Sequence, residues 1–333
     1  MTETAQISMM TSEQVSSLIQ AGQRVWVAGD EALLSTLPKG DWIGATTPYF
    51  MTEEGGAHTQ QSLQVTILPK EVAKISARFY SAEELCGLAA DYPANGFAYI
   101  LIPAFSKAHS VFAQDCSNWP GVFDRPLIGW IAGVNVDQIG SATPKVFNGL
   151  TGESSAEKAV VMHVELVSEL MAHANIINLF EPAAGDVLTF PAVGFDVTEC
   201  FVNGEARNFS AYLTEHAYDT RLPLVADYMG AHVNVSVRSV DALAGKVSFY
   251  APVFPGVEYK AAAPVADYAT EFRNRLVDNH ENPVFTCNCI LNYLYAGLEG
   301  TKTGDWTGPI TFGEIAYMLL NQTLVYLTFE KAS

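Results

Sequence analysis

The chain has 333 residues, 49% of them apolar and only 16% charged, and carries a net charge of −18 from 36 acidic against 18 basic side chains. That length is more than one compact core usually organises, so two domains are expected, and the apolar fraction excludes a disordered chain. The acidic balance and the lack of any Lys/Arg cluster exclude a nucleic-acid backbone or an anionic membrane surface as partner.

From the N-terminus, "MTETAQISMMTSEQ" shows neither the basic nor the apolar region of a secretory signal. "TSEQVSSLIQAG" places Val15, Leu18 and Ile19 at helical spacing, with Ser12 as N-cap and Gly22 as stop. "RVWVAGD" predicts a strand and "EALLSTLPKG" a short helix closed by Pro38 and Gly40. "DWIGATTPYFM", "SLQVTILP" and "AKISARFY" predict strands. "SAEELCGLAADYPANG" predicts a helix, opened by a Ser81/Glu84 capping box and closed by Pro93 and Gly96. "FAYILIP" is continuously apolar, as a central strand is; "AHSVFAQDCSNW" reads as helix and "PLIGWIAG" as strand. Residues 140–160 are turn-rich and suggest a boundary, giving domains at 1–155 and 156–333.

The second half is richer in strand patterns: "AVVMHVEL", "DVLTF", "FDVTECFVNGE", "HVNVSVRSVD" and "GKVSFYAPVF", with Asn203-Gly204 as a hairpin turn. "FSAYLTEHA" and "YATEFRNRLVDN" predict helices. The fold class expected is α/β in the mixed α+β sense, with mixed or mainly antiparallel sheets flanked by helices. No stretch of 18 apolar residues occurs, so no membrane-spanning helix is expected. The five cysteines, an odd number spread along the chain, fit thiols in a reducing compartment and a cytoplasmic location.

Chemistry-bearing residues are sparse. Cys287 and Cys289 form a single Cys-x-Cys on a predicted strand, where they share a face. Without a second pair, buried pocket-wall thiols are expected rather than a zinc site. A nucleophilic cysteine would need a base and a lowered pKa, and no Cys/His signature is present. His163 and Glu165 lie two apart on a strand and could form an acid–base pair. His58, His173, His216, His232 and His280 are isolated in sequence, and any could serve as an axial haem ligand. Phosphate-binding loops and nucleophile elbows are absent. In "GEIAYMLLNQTLVYL", a buried Glu314 would need a partner or ligand; the run reads either as a helix ending before a last strand, or as Glu314, Tyr317 and Asn321 offering polar groups to a ligand.

From residue 175 to 330 the order of "FVNGEARNFSAYL", "RLPLVADYMG", "RSVDALAGKVSFYAPVFPGVEYK", "VFTCNC", "GEIAY" and "LNQTLVYLTF" resembles the C-terminal domain of the FIST family of bacterial sensory proteins. "WIGATTPYF" and "FAYILIPAF" resemble its N-terminal domain more loosely. The chain departs from the family pattern after the cysteine element, where Ile290-Leu291-Asn292 include no arginine. The resemblance implies a cytoplasmic, non-catalytic sensory protein that binds a small metabolite such as an amino acid, or haem as a gas sensor, and signals through a protein partner. It implies a pocket formed by Cys287, Asn288, Glu314, Tyr317 and Asn321, with Trp42 or Tyr49 from the first domain. An enzyme using Cys287 or the His163–Glu165 pair, and a homo-oligomeric assembly protein, are the other classes left open by the residues.

Overall fold

The computed structural model describes residues 6–228, 231–277 and 282–332. His280, and the ends of two predicted segments at Met229–Gly230 and Asp278–Asn279, lie outside them. Among the described residues the fold is mixed α+β: four sheets of six strands and one of three, flanked by short helices.

Three of the sheets share one core. The first runs in the order Gln6–Met10, Leu63–Ile67, Val25–Gly29, Trp42–Thr46, Val146–Asn148, Glu153–Ser155. The second is Met318–Leu320, Glu314–Ala316, Leu127–Ala132, Gly96–Pro103, Ala159–Leu166, Val72–Tyr80. The third is Leu170–Ile177, Leu324–Lys331, Phe285–Cys289, Gly308–Thr311, Tyr49–Thr52, Gly55–His58. Their inner faces meet at an aromatic knot. Trp26 of the first sheet stacks on Tyr99 of the second at 4.0 Å, and Phe285 of the third stands edge-on to Tyr99 at 5.0 Å. The one polar atom Tyr99 brings inside is used, since Trp130 Nε1–H donates to its hydroxyl at 2.8 Å.

Outer faces are covered by helices. Val15, Ile19 and Leu34, from Ser12–Gln20 and Glu31–Leu34, pack with Val25, Trp42 and Phe147 of the first sheet. Phe112, from Lys107–Asp115, packs on Ile100 and Ile131 of the second. Phe272 and Leu291, from Tyr268–Val277 and Ile290–Tyr295, pack on Ile310 and Tyr326 of the third. The remaining sheets, with helix Phe209–Glu215, enclose a separate core around Phe190, Phe209 and Phe249.

Strands from both sides of residue 155 share sheets. Ala159–Leu166 pairs with Val72–Tyr80 and Gly96–Pro103, Glu314–Ala316 with Leu127–Ala132, and Gly308–Thr311 with Tyr49–Thr52. The turn-rich 140–160 stretch contains the short hairpin Val146–Asn148/Glu153–Ser155. Local turn signals mark where a chain reverses but not which sheet receives the next strand.

Several predicted elements take a different form. Thr11, not Ser12, caps the first helix, in a reciprocal box with Gln14. The segment after Ser81 winds as a 3-10 helix, Leu85–Asp91, although Glu84 does accept the Ser81 N–H. "DWIGATTPYFM" divides at Thr47–Pro48 into strands of two different sheets. "GEIAYMLL" is no helix: it is a tight hairpin, Glu314–Ala316 against Met318–Leu320, turning at Tyr317 with φ 64°. The Asn203-Gly204 turn forms as expected, both residues having positive φ (51° and 88°), as the mirror-image hairpin turn requires.

Candidate functional site

The segment "VFTCNCILNYLY" is strand Phe285–Cys289 passing directly into helix Ile290–Tyr295. The strand is buried throughout and bonded on both sides, antiparallel to Leu324–Lys331 and parallel to Gly308–Thr311. Asn288 is the second-last residue of the strand and Asn292 lies in the first turn of the helix that follows, where their side chains meet. Asn292 Nδ2 donates to Asn288 Oδ1 at 2.9 Å, and to the Thr323 carbonyl at 3.4 Å. Asn288 Oδ1 also accepts the Cys289 N–H at 2.7 Å.

These partners fix both amide orientations, because a backbone N–H can only donate and a carbonyl can only accept. What remains is an Asn288 Nδ2 donor and an Asn292 Oδ1 acceptor, both buried and, among the described residues, with only the Tyr268 phenol at hand; of the two asparagines, Asn292 lines the cleft. The Tyr268 phenol lies against both amides, and burial holds it far above its ordinary pKa. Tyr268 and Asn292 form the floor of a cleft of about 600 Å3, whose walls include Arg221, Tyr295 and Gln322. On its rim Arg221 is held in a two-toothed pair with Asp219, with contacts of 2.7 and 2.9 Å.

Glu314 stands behind this floor and is fully buried. Its Oε2 accepts the Thr323 hydroxyl at 2.9 Å and the Thr323 N–H at 3.3 Å, and its Oε1 faces the Thr311 hydroxyl at 3.4 Å. Burial pushes the carboxyl up to about 8, against the pull of hydrogen bonds from Thr323, Cys289 and Thr311. Cys287 and Cys289 are likewise pushed well above the thiol range, by burial first and the Glu314 charge second. Both sulfurs are therefore protonated at neutral pH, which runs against a thiolate nucleophile.

The cluster brings together three of the seven residues singled out from sequence. Cys287 and Asn288 lie on the central strand and Glu314 on its hairpin. Asn321 lies in the turn before Leu324–Lys331, where Nδ2 donates to the Leu320 carbonyl at 3.0 Å and Oδ1 is unpartnered. Three others point elsewhere. Tyr317 leans on Phe123 at 5.8 Å, on the outer side of the second sheet. Trp42 is sealed in the first sheet's helical face, its Nε1–H on the Pro38 carbonyl at 2.8 Å. Tyr49 donates to Asn135 Oδ1 at 3.2 Å and stacks on His58 at 4.7 Å.

Asn292, Tyr268 and Thr311 are members that the sequence does not single out, and Thr323 stands in it only as one of three hydrogen-bonding side chains between Leu320 and Leu324. For Asn292 the only signal is its four-residue spacing from Asn288, across the junction of strand and helix. Thr311 reaches Glu314 from the end of strand Gly308–Thr311, and Thr323 from the turn before Leu324–Lys331. Gln322 serves as a brace: it accepts from Ser236 at 2.7 Å and donates to the Arg221 carbonyl at 3.0 Å, tying the cleft wall to the turn.

The candidate histidines do not converge. His163 is buried while Glu165 is exposed, and His163 Nε2 meets the Tyr80 hydroxyl at 2.7 Å, which in turn donates to Asp91 at 2.6 Å. That chain ties the 3-10 segment to the sheet. His173 faces Glu330, His216 its own helix through the Tyr212 carbonyl, and His232 Glu181. No group of three or more His, Cys, Asp or Glu side chains placed to hold a metal ion stands among the described residues, and no helix among them is long and apolar enough to cross a membrane.

No curated protein matches the chain. A family of unknown function, DUF6976, matches it over residues 10–330, and the chain belongs to that family.

Proposed function

We propose that this chain is a non-catalytic, small-molecule-binding sensory protein of FIST type, and that its ligand lies in the cleft floored by Tyr268 and Asn292. The observation that carries the reading is the pair of complementary orphans, one donor on Asn288 and one acceptor on Asn292. Leaving a buried polar group unpaired costs about 1–3 kcal/mol. A ligand that satisfies both would recover that cost on binding. The complement is a group with an acceptor and a donor side by side, as in a primary amide or a protonated carboxylic acid. The volume suits a molecule of metabolite size.

The FIST-type reading is supported by convergence. "VFTCNC", "GEIAY" and "LNQTLVYL", far apart along the chain, supply Cys289, Glu314 and Thr323 to one hydrogen-bonded cluster. A sensory output would pass to a protein partner through movement of helix Ile290–Tyr295.

The test is a thermal-shift screen of the chain against amino acids, primary amides and short carboxylic acids. Members offering both donor and acceptor should raise the melting temperature, and Asn292→Leu should abolish the rise. Shifts that persist unchanged in Asn292→Leu would remove the assignment.

A further inference from the structure

On the opposite side of helix Ile290–Tyr295 lies a second cleft, of about 340 Å3 and different in character. Ile290, Leu291 and Leu294 of the helix face it, whereas Asn292, Tyr295 and Ala296 face the polar cleft. Its other walls are mostly apolar, with Phe195, Phe249 and Phe312 among them. Three of the chain's large exposed apolar side chains converge here: Phe105 at 59% exposure, Ile139 at 51% and Leu294 at 44%. A single exposed apolar residue needs no explanation, but a concave group of them is a binding surface.

Phe105 adds a second sign. It is a non-glycine residue at φ 66°, a backbone conformation that costs about 1–3 kcal/mol where it is sparsely populated. The turn sets its ring at the cleft, edge-on to Phe312 at 6.3 Å. It also aims the Phe105 N–H at His109 Nδ1, at 3.3 Å.

His109 is the third sign. Because Nδ1 accepts a backbone N–H, the ring proton sits on Nε2. Nε2 is buried and has no acceptor among the described residues. Burial holds the ring's pKa down to about 4, so it stays neutral in ordinary buffers. The cleft is thus largely apolar, and the His109 Nε2–H on its wall is a buried uncharged donor that no group among the described residues uses; the Tyr250 phenol also lines it. The guanidinium on its wall, Arg238, stands 4.0 Å from Asp196, so it is already faced by a carboxylate.

We infer that this cleft is a second ligand site, taking an uncharged apolar molecule that bears a carbonyl oxygen, with the body between Phe105, Ile139 and Leu294 and the oxygen on His109 Nε2–H. A carboxylate ligand is disfavoured by the neutral donor and by the Asp196 beside Arg238. The site is independent of the polar cleft, although the two share a helix as common wall.

The experiment is a fluorescence titration of the full chain with prodan, an uncharged naphthalene ketone whose emission moves to the blue in apolar surroundings. Prodan should give a saturable blue shift at one site. Its counterpart lacking the propionyl group should bind about tenfold more weakly, the worth of one buried hydrogen bond. His109→Phe should reduce prodan affinity by a similar factor, and His109→Gln, which keeps an N–H donor, by less. Leu294→Asp, at an exposed position where the fold tolerates a charge, should weaken both probes. Asn292→Leu should leave prodan binding unchanged, which separates this site from the polar cleft. The absence of a saturable blue shift, equal binding of the two probes, or wild-type affinity in Leu294→Asp would overturn the inference.

Discussion

Glu314 and Thr323 are joined twice through one atom: the Thr323 hydroxyl and the Thr323 N–H both donate to Glu314 Oε2, at 2.9 and 3.3 Å. The carboxyl that the sequence marks as needing a partner has therefore found it inside the protein. The unsatisfied groups lie one layer outward, on Asn288 and Asn292. Glu314 holds the turn at Thr323, and the Thr323 carbonyl receives Asn292 Nδ2, which fixes the orientation of the Asn292 amide beside the cleft. Glu314 is in this account a positioning residue.

A buried carboxyl of this kind sets a pH dependence. Its folded value, about 8, lies above the ordinary 4.5. The folded state therefore holds the proton more tightly, and the stabilisation is complete below pH 4.5 and lost as pH rises through 8. Cys287, Cys289 and Tyr268 face it, and all three stay protonated across that window. Urea unfolding of wild type should show lower stability at pH 8 than at pH 5 from this group, and Glu314→Gln should flatten that difference. An equal pH dependence in wild type and variant would contradict the placement.

Two histidines work in the opposite sense. His109 and His163 are both held down to about 4 by burial, below the ordinary 6.5. The unfolded chain binds their protons first, so stability is complete above pH 6.5 and falls as pH drops toward 4. In an NMR titration their ring C–H resonances should keep neutral-imidazole positions down to about pH 5. A midpoint near 6.5 for either would show that its ring is solvated.

Thiol reactivity should divide the cysteines cleanly. Cys86 is exposed, while Cys116, Cys200, Cys287 and Cys289 are buried. In the native protein a maleimide should label Cys86 quickly and the other four slowly, and urea should release all five. Rapid labelling of Cys287 or Cys289 would revive the nucleophile reading.

The central knot should dominate stability. Trp26→Ala removes a buried indole stacked on Tyr99 and should cost about 3–5 kcal/mol by urea unfolding. Tyr99→Phe deletes only the hydroxyl, leaving Trp130 Nε1–H without its acceptor, and should cost about 1–3 kcal/mol. Comparable losses in the two variants would mean that the stack carries little.

How far the sequence could be read follows from which interactions are local. Continuous apolar runs such as "FAYILIP", and the Asn203-Gly204 turn, declare themselves within a few residues, and the mixed α+β class follows from them. The Glu314 hairpin does not, because a short apolar segment fits helix or strand alike until its partner, Leu127–Ala132, is known. Cys287, Asn288 and Glu314 were legible as polar or thiol groups in buried runs. Thr311 is not, since a threonine in a strand is ordinary until pairing sets it against a carboxyl. Trp42 and Tyr49, the first-domain residues that the family resemblance implies at the pocket, have their polar atoms used by Pro38 and Asn135.

The most direct measurement is side-chain amide NMR on the isotope-labelled chain, following the Nδ2 protons of Asn288 and Asn292 during titration with acetamide, the smallest molecule that offers both an acceptor and a donor. The account predicts saturable shifts of the Asn288 Nδ2 protons, smaller ones at Asn292, whose amide protons are already bonded, and none in surface asparagines. Unmoved Asn288 resonances with acetamide, acetate and the free amino acids alike would contradict a ligand site at this cleft.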